Sequence, residues 1–207
     1  MKNGILMKVI SLTLILLLCS CSSTQKPDKN LLSKKENWQI SNYGSGGTLE
    51  FVNNTVNLEM GDPIQGMHWM GPQLPTSNYK LSLDAMRTQG NDFFVGLTFP
   101  VKDQFCSLII SGWGGTVTGL SSINDLDASN NESTCDVVIK NQQWYNIELV
   151  VQDKFIKVYV DGKEIILTET LNKKFSIRPE VEPSKPLGLA TFYTSAKYRN
   201  FYLKTLD

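Results

Sequence analysis

The chain has 207 residues, 41% of them hydrophobic and 10% aromatic, and its 20 Lys+Arg balance its 20 Asp+Glu to a formal net charge of +0. A balanced chain casts no net field toward nucleic acid or acidic lipid, which excludes nucleic acid as a partner. The length left after the N-terminus suits one domain with one core.

The first twenty residues read as an export signal. Lys2 and Lys8 precede the apolar run Val9–Leu18, a charged-then-apolar order. The run falls short of the roughly 20 apolar residues of a membrane span. It ends in Leu18-Cys19-Ser20-Cys21, which resembles a bacterial lipobox, with Cys21 fitting better than Cys19 as the acylated residue. The resemblance implies a lipoprotein of the cell envelope with signal peptide 1–20, a membrane partner through the lipid on Cys21, and a polar tether over 21–35. The other reading is plain secretion with incidental cysteines. The folded domain is expected over 36–207.

Along that domain the hydrophobic period is two. "YKLSLDAM" sets Tyr79, Leu81, Leu83 and Ala85 against Lys80, Ser82 and Asp84, the pattern of a half-buried strand. "FFVGLTFP" and "FCSLIISGW" are fuller apolar runs that suit strands covered on both faces. "WYNIELVVQ", "FIKVYV" and "KEIIL" follow, the last two joined by the hairpin dipeptide Asp161-Gly162. "RPEVEPSKP" is a loop, because its prolines cannot donate to a ladder. "LGLATFYT" and "RNFYLKTL" close the chain. About ten to twelve antiparallel strands predict an all-β, two-sheet sandwich or jelly roll, with Trp69 and Trp144 in its core.

Between these strands lies a segment too long for a simple reversal, "GWGGTVTGLSSINDLDASNNES". Trp113 stands among Gly112, Gly114 and Gly115, so that an indole face is open to stack on the CH-rich face of a pyranose. Asp127 and Asn131 offer polar groups to sugar hydroxyls. The same acids suit calcium, although the spacing fails an EF-hand because Asn130 occupies the position of its invariant glycine. No residue is assigned as a metal ligand, and calcium is the one cofactor left open. Cys106 and Cys135 either close a disulfide across the loop or leave a buried free thiol.

His68 is the single histidine, which rules out a histidine metal cluster and favours a structural role. Glycoside cleavage calls for two carboxyl groups across the scissile bond. The candidates are Glu59, Asp92, Asp125, Asp127, Glu132, Glu180 and Glu182. Asp92, against the apolar Phe93-Phe94-Val95, and Glu132, at the end of the long loop, are the pair selected as acid and base. The plainer alternatives are a strand cap for Asp92 and a solvated side chain for Glu132.

"WYNIELVVQDKFIKVYVDGKEI" resembles the hairpin of concanavalin A-like and laminin G-like jelly rolls, and "LGLATFYTSAKYRNFYLKTL" is similar to the closing strand pair of the bacterial 3-keto-disaccharide hydrolase domain. The resemblance covers nearly the whole domain and implies a concanavalin A-like sandwich that binds carbohydrate, with glycoside hydrolysis of the 3-keto-disaccharide type. The chain carries Gly90-Asn91-Asp92-Phe93 where the better-known branch has Asn-Ser-Gly. The competing reading is a noncatalytic laminin G-like adhesion or scaffold module.

Overall fold

The computed structural model describes residues 28–44 and 46–206, so the signal peptide, Cys19 and Cys21 lie outside the described residues. Fifteen strands carry the described chain. They are β1 (Lys29–Asn30), β2 (Trp38–Ile40), β3 (Leu49–Val52), β4 (Thr55–Leu58), β5 (Ile64–Trp69), β6 (Tyr79–Gly90), β7 (Val95–Val101), β8 (Gln104–Gly112), β9 (Val117–Ser121), β10 (Cys135–Asp136), β11 (Trp144–Val151), β12 (Phe155–Val160), β13 (Lys163–Glu169), β14 (Gly188–Phe192) and β15 (Thr194–Thr205).

They form two antiparallel sheets, a jelly-roll sandwich. The eight-stranded sheet runs β13-β12-β11-β6-β15-β4-β3 with β1 added to β15, and the seven-stranded sheet runs β10-β9-β8-β7-β14-β5-β2. Alternation decides which side chains enter the space between them. Leu81 and Leu83 of β6, Ile147 and Leu149 of β11, and Leu97, Phe99, Leu108 and Ile110 of β7 and β8 are all buried in one cluster. β11 and β12 are neighbours in register, Leu149 opposite Val158. Asp161 and Gly162 take φ of +48° and +75°, the left-handed pair that a tight β12–β13 hairpin requires.

Two tyrosines bolt the sheets together across the core. Tyr79 of β6 donates to the Pro100 carbonyl of β7 at 2.6 Å, and Tyr198 of β15 donates to the Phe94 carbonyl beside β7 at 2.5 Å. Each hydroxyl is satisfied where water cannot reach, so the aromatic body is buried without leaving a polar orphan.

Two sequence expectations change, and one open alternative, that of the cysteines, is decided. The tether over 21–35 does not extend to 35: Lys29 and Asn30 pair with Leu203 and Tyr202, Leu31 and Leu32 are buried, and the Trp38 indole donates to the Leu31 carbonyl at 2.9 Å. Trp69 is in the core, edge-on to Trp38 at 5.3 Å between centroids, but Trp144 is not. With Tyr145, Ile147 and Leu149 facing inward, strand alternation turns Trp144 outward, where the Arg199 guanidinium lies 4.1 Å over its ring. Cys106 and Cys135 are free thiols. Burial, opposed by weaker backbone hydrogen bonds, pushes the Cys106 thiol well above its ordinary range, which makes it inert.

Candidate functional site

The outer face of the seven-stranded sheet carries a second, smaller apolar cluster. Ile64, Val181 and Ala190 are buried there, with Tyr43, Phe93, Ile177 and Phe192 packed against them. Small residues make the space. At Gly96 a Cβ would fall 2.9 Å from the Phe93 ring, so glycine lets Phe93 lie flat on β7. The Pro179–Ser184 3₁₀ turn crosses over this face, pinned by Tyr43 to Ser184 and by the Ser41 hydroxyl to the Pro183 carbonyl at 3.0 Å. His68 shares that anchor, its Nδ1 3.1 Å from the Ser41 hydroxyl. Burial pulls its pKa below the ordinary histidine value.

Between this cover and the loops at the end of β6 and β8 lies a pocket of about 210 Å³. Its walls are Ile64, Phe93, Ile109, Val181 and Phe192, with Trp113, Asp92, Arg178 and Glu180 around the opening and Ser107 and Ser121 in the sheet. The Phe93 and Phe192 rings meet at 5.8 Å, tilted by 32°. The site is thus an apolar cleft with a few polar groups placed around it, the usual constitution of a small-molecule pocket.

Trp113 is held at its rim, 44% exposed. Its backbone φ is +52°, followed by +83° at Gly114 and +131° at Gly115. A left-handed tryptophan persists only where its surroundings fix it. Asp92 supplies the fixing: its Oδ2 accepts from the Gly114 amide at 2.9 Å and its Oδ1 from the Phe93 amide at 2.7 Å. A Cβ at Gly115 would come 2.9 Å from the Asn91 carbonyl, whereas one at Gly114 would meet nothing within 4 Å. Gly114 is thus required by its left-handed φ rather than by crowding.

Behind both loops stands Arg87 of β6, 6% exposed. Its guanidinium donates to the Asp92 carbonyl and the Ser111 hydroxyl, each at 3.2 Å, to the Ile139 carbonyl at 2.7 Å and to the Asn141 side-chain oxygen at 2.6 Å. One buried cation thereby spaces the Asp92 turn, the Trp113 turn and the segment before β11. In the lining, Ser107 of β8 and Ser121 of β9 are opposite one another, and Thr98 of β7 is the other cross-strand neighbour of Ser107. Thr98 and Ser107 share a hydrogen bond at 2.9 Å, and the buried Ser121 hydroxyl has no hydrogen-bond partner.

The sequence-selected residues divide. Asp92 and Trp113 meet at the pocket, joined through Gly114. Glu132 is outside the lining, its carboxylate paired with Lys173. Asp127 is engaged by Ser129 and Asn130 and by Arg178 at 3.3 Å. Burial pushes its carboxyl up, but those hydrogen bonds and the Arg178 charge outweigh it and hold the pKa below the usual value. Asn131 is the strut of the long loop: its amide donates to the carbonyls of Leu120, Leu126 and Asp127 and its oxygen accepts from Ser133. Asp125 pairs with Lys174 at 2.8 Å. The acids of the loop thus face the basic segment 173–178, and among the described residues no group of three or more His, Cys, Asp or Glu is placed to hold a metal ion.

Arg178, Phe192 and Ser121 line the pocket without having been singled out from the sequence, and Glu180 was a candidate carboxylate not selected for the pair. Glu180 takes the Arg178 Nε at 2.5 Å.

A family model described as "3-keto-alpha-glucoside-1,2-lyase-like domain" matches residues 25–204. No curated protein matches the chain. Among solved structures, a protein of unknown function with a galectin-like fold from Bacillus subtilis superposes with a TM-score of 0.56 at 11% identity, covering 87% of this chain and 97% of that one. A transglycosylase in complex with NAG superposes with a TM-score of 0.56 at 10% identity, covering 88% of each chain. At these identities the likeness is one of fold.

Proposed function

The chain belongs to the 3-keto-alpha-glucoside-1,2-lyase-like domain family, and on that footing we propose that it binds carbohydrate, seating a sugar ring against Trp113 in the pocket on its seven-stranded sheet. The observation that carries the reading is the half-exposed indole, fixed in a left-handed turn at the mouth of an apolar cleft that also presents Asp92, Arg178 and Glu180. An indole face takes the CH side of a pyranose and the polar groups take its hydroxyls. One structural relative is described with NAG bound.

Trp113→Ala tests this. Loss of one aromatic contact weakens binding by about 1–3 kcal/mol, roughly 5- to 150-fold in Kd, and the fold survives because the ring is outside the main core. Unchanged binding on a glycan array, or an unfolded variant, returns Trp113 to a structural role.

A second reading adds catalysis, favoured by two carboxyl groups, Asp92 and Glu180, on one pocket. Asp92 accepts hydrogen bonds from the Phe93 and Gly114 amides, which hold its carboxyl at the pocket in the place of a general base or an electrostatic stabiliser. Glu180 replaces Glu132 as its partner in this reading. If the protein turns over a glycoside, Glu180→Gln keeps the ligand and loses the rate, while Asp92→Asn, with one acceptor oxygen for the Phe93 and Gly114 amides, loses the rate and loosens the Trp113 turn; binding without turnover in the parent leaves a noncatalytic module. The envelope location is proposed from Leu18-Cys19-Ser20-Cys21, with Cys21 acylated and the pocket displayed from a membrane.

A further inference from the structure

We infer that Ser121 is a specificity-determining residue, reading one hydroxyl of a single uncharged sugar ring, and that the pocket turns away sugars bearing a carboxylate; the inference rests on the saccharide reading above. Its first support is the orphaned hydroxyl. Ser121 lines the pocket, is 2% exposed and has no partner, while its cross-strand neighbour Ser107 is already engaged with Thr98. A buried hydroxyl left unpaired is a standing cost to the fold, offset when a ligand supplies the missing bond. A serine hydroxyl both donates and accepts, as does a sugar hydroxyl; a carboxylate only accepts.

Size comes next. A pocket of about 210 Å³ lies below the roughly 300–1,000 Å³ of sites that enclose drug-sized ligands. It holds one ring, with any further sugars left outside beyond Trp113.

Charge is the third support. The lining carboxylates are Asp92 and Glu180, and Arg178 is the one cation in the lining. Arg178 is already shared between Glu180 at 2.5 Å and Asp127 at 3.3 Å. Arg87, behind the wall, spends its donors on Asp92, Ser111, Ile139 and Asn141. An entering carboxylate therefore meets two carboxyl groups and no unshared cation in the lining.

Calorimetric titration at pH 7 with the methyl pyranosides of glucose, galactose and mannose, and with the matching methyl uronosides, reads the inference directly. At least one neutral glycoside binds, its uronoside binds about tenfold or more weakly, and Glu180→Gln narrows that gap. Ser121→Ala lowers affinity for the neutral ligand by about tenfold with no fall in the thermal midpoint, since it removes an unsatisfied group. Equal binding of neutral and uronic ligands, or a Ser121→Ala protein that binds as the parent does, overturns the inference and leaves saccharide binding standing. Failure of every glycoside to bind the folded parent overturns both.

Discussion

Replacing Arg87 tests how the site is built. The side chain makes its hydrogen bonds to partners on three segments at 2.6–3.2 Å from a position only 6% exposed. Burial draws its pKa down, with Tyr145 and Asp92 acting in the opposite direction, yet a guanidinium stays charged at neutral pH. Arg87→Met fills similar space but strands the carbonyls of Asp92 and Ile139 and the Asn141 oxygen. One stranded buried acceptor costs about 1–3 kcal/mol, and breaking a buried charged network about 3–5 kcal/mol. Removing the cation also removes its own desolvation, so the expected loss is about 3–4 kcal/mol rather than a simple sum. Arg87→Lys keeps the charge but cannot span the fork and loses about half of that. Urea unfolding gives both values, provided the slope m matches the parent. An Arg87→Met protein within about 1 kcal/mol of the parent would refute the claim that this cation spaces the three segments.

The other predictions concern the scaffold and the N-terminus. Tyr198→Phe leaves the Phe94 carbonyl without its partner and is expected to cost about 1–2 kcal/mol in the same urea assay. Asp84 has a folded pKa below its ordinary value: burial raises it, but hydrogen bonds from Asn146, Asn200 and Arg199 prevail. Its stabilisation is therefore fully present above the unfolded pKa, near 4, and is lost as pH falls through the lower folded value, so Asp84→Asn should flatten the acid limb of the stability curve below about pH 4. Mass spectrometry of the native protein should find Cys21 as an acylated first residue; a free Ser22 or an unmodified Cys21 removes the anchor.

The sandwich was legible because strand alternation is a local property. Tyr79, Leu81 and Leu83 against Lys80 and Ser82 announce both a strand and its buried side, and Asp161-Gly162 announces its own turn. Trp144 was misplaced because a large aromatic at the head of an alternating strand was assigned inward, although the phase set by Tyr145, Ile147 and Leu149 puts it outside. Lys29–Leu32 read as tether because two leucines in a polar stretch show no period; only their docking against β15 and Trp38 buries them. The candidate site was half legible. Trp113 among glycines marks a strained turn, and Asp92 beside an apolar run marks a held carboxylate. Glu180 and Arg178 reach the same pocket only because the proline-rich segment folds back over β5 and β14, a long-range event with no local signature. The one available cue was Gly96, Gly119, Gly188 and Ala190 alternating with large core residues, the sign of a sheet face that something lies close upon. Glu132 was drawn to the loop's acidic run, whereas its neighbour in space is Lys173.

The proposed sugar site at Trp113 on the outer face of the seven-stranded sheet can be followed directly by NMR. The chain has four tryptophans, so a ¹⁵N-labelled sample gives four indole resonances to follow during titration with methyl hexopyranosides. Trp38 and Trp69 are tied to the carbonyls of Leu31 and Pro72 inside the fold, and Trp144 lies on the other sheet under Arg199. A sugar in the pocket should move the Trp113 indole together with the amides of Phe93, Gly114 and Ser121 while the other three indoles stay still. Movement centred on Trp144, or none at Trp113 in the presence of a glycoside that binds, would contradict it.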